Sequence, residues 1–484
     1  MPYVKHALTL DEAEPDPELI GGKAASLVRM RKLGLRVPDA VIVPVASWQA
    51  WKNNGKQITE AQEKQICDAV QALAMRVDKS FTTEKPEQQM AVSIRSGARV
   101  SMPGMMDTLL NVGLNASTVA DFGGHWLECY VRMISQARTG DDASVMTFEE
   151  RLFEMADIKS TAEIPKSLMS YYLEQLQKFT SSPTGAYEQI MQGVIQVFES
   201  WESERAVWYR EHNDIPHEWG TSVTIQEMVY GNRNENSATG VVFSRNPTTG
   251  ALELYGDFLV SGQGEDVVSG AVNSRPISDM GEVFPSQFEE LREGIELLEQ
   301  EWADMVDVEF TIDDGMLYFL QCRAGKRTMT ARLRILIDRI YKGLPYEEAV
   351  AELEEMNLIE ILNGEEEEES PDAKPNMMGI GASKGVVTGV LARDELVLET
   401  LQKESKPVIL LRELTSPEDI KMMEAADAII TMNGGLVSHA AIVCREWGKP
   451  CIVGVAGGGH KLSDFPKDGS TITMNAKTGE IWIL

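Results

Sequence analysis

Phe288, Leu291, Ile295, Leu298 and Trp302 recur at steps of three, four, three and four residues. That spacing draws one apolar stripe and predicts a helix over 286–302. A different period follows. Asp307 and Glu309 alternate with Val308 and Phe310, so a strand there turns both carboxylates to one face. Gln321 and Arg323 likewise share a face on the next strand. A three-residue loop, Asp313-Asp314-Gly315 with Gly315 left-handed, would pair Asp307 with Gln321. All four polar groups would then gather on one face, with Phe319 among them. A two-residue Asp-Gly loop would instead put the two pairs on opposite faces, because a slip of one residue turns every side chain over.

Up to about residue 325, glycine-rich loops alternate with short β-like runs and amphipathic stretches. Residues 116–218, poor in glycine and rich in aromatics, read as a mostly helical insertion. Residues 327–362 also look helical. They lead to Asn363-Gly364, the self-repelling run Glu365 to Glu369 and two prolines, which together read as an exposed, extended tether. After Pro375 the pattern becomes a compact α/β unit. Its strands are expected at 386–392, 407–411, 428–432, 451–455 and 471–474, and its helices at 416–425 and 438–447. The expected fold class is multidomain α/β. The boundaries fall at 1–326, 327–374 (helical linker and acidic tether) and 375–484.

Composition narrows the function. The 484 residues carry 45 basic and 75 acidic side chains, a formal charge of −30, which disfavours nucleic acid and anionic membranes as partners. Five cysteines without a CxxC pair argue for a reducing compartment and against zinc ribbons or a disulfide framework. The N-terminus has no apolar signal core, and no run of 18 uncharged apolar residues occurs. A cytoplasmic protein is expected.

Three more segments carry candidate chemistry. In NGGLVSHAAIVCREWGKP (433–450), glycines break a strand, Ser438 suits an N-cap, and Gly448 with Pro450 ends a helix. His439 then lies in a first helical turn, where the dipole disfavours imidazolium and favours an anion attached to the ring. Those are the needs of a histidine that accepts a phosphoryl group. Near the N-terminus, Gly21-Gly22-Lys23 opens a helix and sets amides and an ammonium where a phosphate could sit. In AVSIRSGARVSMPGMMDTLLNVGLN (91–115), Arg95 and Arg99 follow a strand. Ser96-Gly97, Ser101 and Pro103-Gly104 supply a pliable lid, together a sensible clamp for a polyphosphate.

The run Gly434-Gly435-x-x-Ser438-His439-Ala440-Ala441 with Gly448-Lys449-Pro450 resembles the phosphohistidine signature of the phosphoenolpyruvate-utilising dikinases, as do LRELTSPEDI and ADAIIT before it. The 91–115 string, GQGEDVVSG (262–270) and DVEFTIDDGMLYFLQCRAGKRT (307–328) are similar to the ATP-binding domain of the pyruvate, phosphate dikinase family. The resemblance covers nearly the whole chain and is weakest over 116–218. It implies an ATP-grasp nucleotide-binding region joined to a swivelling phosphohistidine domain. By it, Asp307 and Glu309 would hold metal, with Gln321 serving metal and nucleotide. Lys23, Arg95 and Arg323 would serve phosphates. Gly97, Ser101, Gly104, Glu265 and Asp266 join the nucleotide site, and Arg132 is a carry-over from a poorly aligned region.

The implied activity takes ATP and phosphate, phosphorylates His439, and releases AMP and pyrophosphate. Mg²⁺ accompanies the ATP, and the resemblance leaves room for a monovalent cation. The family's C-terminal barrel for pyruvate or phosphoenolpyruvate has no counterpart before Leu484. The expectation is therefore the first half-reaction only, with a separate pyruvate- or phosphoenolpyruvate-binding protein or another acceptor receiving the phosphoryl group. Because family members dimerise through that barrel, a monomer is expected. One departure stands out: Val437 replaces the family's usual threonine, which puts regulation through that threonine in doubt. Val437 is also the one sequence support for an alternative, a non-catalytic nucleotide-binding or regulatory module. An antibiotic phosphotransferase would need an acceptor domain that residues 326–375 cannot supply.

Overall fold

The computed structural model describes residues 5–102, 105–136, 173, 183–269, 274–354, 356, 371, 373–403 and 406–484. The chain divides into two compact units, Met1–Val229 and Tyr230–Leu484. Among the described residues the strands make three sheets.

In the first unit the strands are β1 (Leu8–Thr9), β2 (Ala40–Val43), β3 (Val92–Gly97), β4 (Thr108–Val112) and β5 (Ser222–Glu227), ordered β1-β2-β5-β3-β4. Every pairing is antiparallel. The helix Ala186–Ser200 lies on β3 and β4 because position 193 is glycine: a Cβ there would come within 2.4 Å of Ile94 Cδ1. The region expected to be a helical insertion holds the helices Ala116–Phe122, His125–Gln136, Ala186–Ser200 and Glu204–His212. Its residues 137–172 and 174–182 lie outside those described.

The second unit opens with another antiparallel sheet. Its strands are β6 (Ala238–Phe243), β7 (Tyr255–Val260), β8 (Arg275–Pro276), β9 (Val306–Asp313) and β10 (Met316–Ala324), ordered β10-β9-β6-β7-β8. The stripe foreseen over 286–302 forms the helix Pro285–Trp302, which buries Leu291, Gly294, Ile295 and Leu298.

The β9–β10 hairpin departs from the expected register. Asp313 pairs with Met316, so the loop is the two residues Asp314 (φ +49°) and Gly315 (φ +81°). By itself that turn would split the polar pairs between faces, but an irregularity between Phe319 and Gln321 inserts Leu320 and restores the phase. Gln321 therefore stands opposite Glu309, and Arg323 opposite Asp307. The four groups share one face through a bulge, not through a longer loop. Phe319, paired with Phe310, lies on the other face, where a Cβ at Gly294 would fall 2.3 Å from its ring.

After Pro375 come β11 (Met377–Met378), β12 (Ile380–Ser383), β13 (Val386–Ala392), β14 (Val408–Arg412), β15 (Ala428–Thr431), β16 (Cys451–Val453), β17 (Thr471–Asn475) and β18 (Glu480–Ile483). They form one sheet in the order β11-β18-β17-β13-β14-β15-β16-β12. β13 to β16 run parallel, and β14 and β15 are near-continuous apolar runs, as strands covered on both faces must be. The helices Glu395–Gln402, Ile420–Ala425 and His439–Trp447 connect these strands. Leu391, Ile409, Leu411, Ile430, Ile452 and Ile472 are among the buried side chains of its core. The glutamate run 365–369 lies outside the described residues.

Candidate functional site

The histidine loop is built by local rules. β15 ends at Thr431, whose Oγ1 donates to Asn433 O at 2.7 Å, and Gly434 adopts φ +109°, a conformation an L side chain rarely takes. Ser438 occupies the N-cap position (φ −66°, ψ 161°), but its hydroxyl makes no capping bond and is buried without a partner. At the far end Gly448 (φ +67°) closes the helix, with Lys449 N–H reaching Cys444 O at 2.9 Å.

His439 begins the helix His439–Trp447. Its Nδ1 lies 3.2 Å from Thr415 Oγ1, while Nε2 is buried with no hydrogen-bond partner. Burial pushes the imidazole below its usual range, against an upward pull from Asp419 and Glu418. Burial thus favours the neutral ring. Thr415 is held in turn by the Ser416–Asp419 turn, in which Asp419 Oδ2 accepts from Ser416 N at 2.8 Å and Oδ1 meets Arg412 Nη2 at 2.8 Å. Sequence reasoning named neither Thr415 nor Asp419 as functional, although both lie in the LTSPED run.

Val437 is fully buried, packed with Val241, Phe243, Val267, Met305 and Ile335. An apolar side chain suits that cluster better than a hydroxyl would.

The face shared by β9 and β10 carries the carboxylates. Asp307 is 3% exposed; its Oδ2 accepts from Arg323 Nε at 2.7 Å, and its Oδ1 is buried with no partner. Burial raises the Asp307 carboxyl although Arg323 pulls it down. Burial works against the Arg323 charge too, yet Asp307 and Glu309 outweigh it and hold the guanidinium charged. Glu309 and the buried Gln321 sit one pair further along. The hairpin is anchored where Arg233 pairs with Asp313 and Tyr230 N–H donates to Asp313 Oδ2 at 3.0 Å. Asp266 Oδ2 accepts from Gln263 N at 2.8 Å at the start of the helix Gly264–Ser269, on which Glu265 also lies.

In the first unit, the helix Pro17–Lys32 is broken by Gly21 (φ +76°). Gly22 N–H donates to Ala98 O at 2.8 Å, and Ser222 Oγ donates to Ile20 O (2.5 Å) and Gly97 O (2.9 Å). A Cβ at Gly21 would fall 2.2 Å from Gly97 O, so the glycine allows this segment to lie on the end of β3. Lys23 is thereby brought to the start of the loop that holds Arg99 and Ser101. Arg95, on β3, donates to Gln226 Oε1 at 3.3 Å. Arg99 lies over Trp219 and pairs with Glu18 at 3.3 Å. Ser101 is exposed, and Pro103 and Gly104 lie outside the described residues. Arg132 pairs with Glu128 of its own helix at 2.8 Å.

This architecture, a mixed α/β chain with antiparallel sheets and a parallel-centred histidine unit, fits a nucleotide-binding region coupled to a phosphohistidine carrier. The comparisons agree. The family model described as pyruvate phosphate dikinase, AMP/ATP-binding domain matches residues 45–281 and 279–341. That described as PEP-utilising enzyme, mobile domain matches 404–479. The chain belongs to the pyruvate phosphate dikinase family. It is 35% identical to the pyruvate, phosphate dikinase of Clostridium symbiosum over 506 aligned residues, covering 96% of this chain and 56% of that protein. It is 36% identical to the chloroplastic pyruvate, phosphate dikinase of Flaveria trinervia (96% of this chain, 51% of the relative) and 37% identical to the pyruvate, phosphate dikinase of Rhizobium meliloti (91% and 52%). The chain spans about half the length of the curated relatives it matches. Among the described residues no helix is long and apolar enough to cross a membrane.

Proposed function

We propose that this chain catalyses ATP-dependent phosphorylation of its own His439 in a reaction of the dikinase type. One of the two outer phosphoryl groups of ATP goes to the histidine and the other to inorganic phosphate, which leaves AMP and pyrophosphate. The observation that carries the reading is the setting of His439: buried at a helix N-terminus, with Nε2 unpartnered and with burial disfavouring its charged form. With the Nδ1 proton donated to Thr415 Oγ1, the lone pair of Nε2 is left to attack phosphorus, and a phosphoryl group on Nε2 gains from the helix dipole.

In this reading residues 1–326 form the nucleotide-binding region, 327–374 the connection, and 375–484 the carrier. Lys23, Arg95 and Arg323 neutralise the phosphates; Gly97, Ser101, Gly104, Glu265, Asp266 and Gln321 complete the nucleotide site. Asp307 and Glu309 fit Mg²⁺. Asp307 Oδ1 is a buried hard oxygen without a hydrogen-bond partner, and a pair of carboxylates suits a metal that keeps water and phosphate ligands. Among the described residues no cluster of three or more His, Cys, Asp or Glu suggests a site that would hold a metal alone. When bound, the metal would draw charge from the phosphate oxygens, the main aid phosphoryl transfer needs besides alignment. The phosphoryl group would then pass to pyruvate or another acceptor.

The burial of Val437 among apolar side chains gives the valine a packing reason, which removes the one sequence support for the non-catalytic reading. ATP labelled on its two outer phosphates should leave acid-labile label on the protein, absent in His439→Ala. Nucleotide binding without AMP formation would overturn the proposal.

A further inference from the structure

The two glycines before the histidine have different causes. Gly434 needs its left-handed backbone, but Gly435 does not, since its φ lies outside the region that favours glycine. What a side chain at 435 would displace is a neighbour from another sheet: a Cβ there would lie 2.6 Å from Asp257 Oδ2, with Ser274 Oγ next at 3.4 Å. Asp257 stands on β7, and its Oδ2 accepts from Leu436 N–H at 3.1 Å, with the Val437 amide beside it.

The strand pairing extends this contact to the carboxylate face. Asp257 is opposite Val241, Val241 is opposite Glu309, and Glu309 is opposite Gln321. Cross-strand partners share a face, so Asp257 belongs to the surface that carries the candidate metal and nucleotide residues. Three more contacts seat the carrier there. Val437 packs against Val241 and Phe243. Arg445, from the second turn of the histidine helix, lies over the Phe243 ring at 5.6 Å, its guanidinium fixed by Leu436 O and Ala382 O. Lys326 pairs with Glu446.

We propose that Asp257 is a positioning residue for phosphorylation of His439, docking the loop that leads into the histidine helix, and that position 435 is glycine because that carboxylate must reach the backbone behind it. This rests on the function proposed above, yet the contact it describes can be tested apart from turnover.

The test compares wild type, Gly435→Ala, Asp257→Ala and the double variant in the full chain. Hydrogen exchange over 255–260 and 435–442 reads docking. Labelling by ATP reads the reaction, and labelling by phosphoramidate reads the histidine alone. Gly435→Ala should speed exchange in both segments and slow ATP labelling at least tenfold, with phosphoramidate labelling unchanged. The double variant should lose less than the sum of the single losses, because Asp257→Ala removes the atom that the new methyl meets. Wild-type exchange in Gly435→Ala, or strictly additive losses, would overturn the proposal. If wild type takes no label from ATP, the proposed function fails, and the exchange data still decide the docking contact.

Discussion

Replacing Asp257 by asparagine should stabilise the second unit at neutral pH. Asp257 is only 6% exposed, and burial lifts its carboxyl from 3.8 to about 6, against the pull of the Leu436 and Val437 amides and of Arg445. A carboxyl raised on folding contributes stability that is complete below its unfolded value and is lost as pH climbs through its folded value. Above pH 7 the loss has accrued across some two units, about 3 kcal/mol at 1.36 kcal/mol per unit. Near pH 5 about half of it has accrued. Asparagine keeps an oxygen to accept from Leu436 N–H and never carries the charge. Urea unfolding, followed by hydrogen exchange in peptides of Tyr230–Leu484, should therefore show Asp257→Asn more stable than wild type by about 3 kcal/mol at pH 7.5, shrinking toward half that at pH 5. An advantage that does not change with pH, or a variant weaker than wild type at both values, would refute the reasoning.

Three further outcomes follow from the site. Burial lowers the His439 imidazole, so the acid-side fall in labelling by ATP should lie below pH 6.5, measured by rapid quench; a fall centred at 6.5 or above would contradict the burial. Thr415→Val keeps the volume and removes the oxygen facing Nδ1, and the same quench should show labelling slowed roughly five- to tenfold, the value of about one net hydrogen bond. Arg323→Met leaves Asp307 buried without its cation, so unfolding free energy at pH 7.5 should drop by about 3 kcal/mol and recover as acid protonates the carboxyl.

Periodic segments were legible in the sequence. The helix Pro285–Trp302 and the five strands expected in the histidine unit lie within a residue or two of their expected positions, because amphipathic stripes and buried apolar runs are local signals, whereas β11, β12 and β18 were not foreseen. The β9–β10 hairpin was legible only in outcome. Asp-Gly dictates a two-residue turn, and nothing in Tyr318-Phe319-Leu320-Gln321 announces the bulge that restores the face, since it follows from where Phe319 packs against the helix at Gly294. His439 stood out through its glycines and its helix. Thr415 and Asp257 did not, because their roles are set by contacts across 24 and 179 residues of sequence. Val437, read as a departure from a pattern, turned out to be part of an apolar contact with β6.

The most direct measurement of the central claim is to incubate the full chain with Mg²⁺, phosphate and ATP labelled on its two outer phosphates, then map the acid-labile label by peptide analysis while following the nucleotide product. The account predicts label on the peptide containing His439, AMP formed in proportion to it, and neither in His439→Ala. Label elsewhere, ADP as the product, or no label at any phosphate concentration would contradict it.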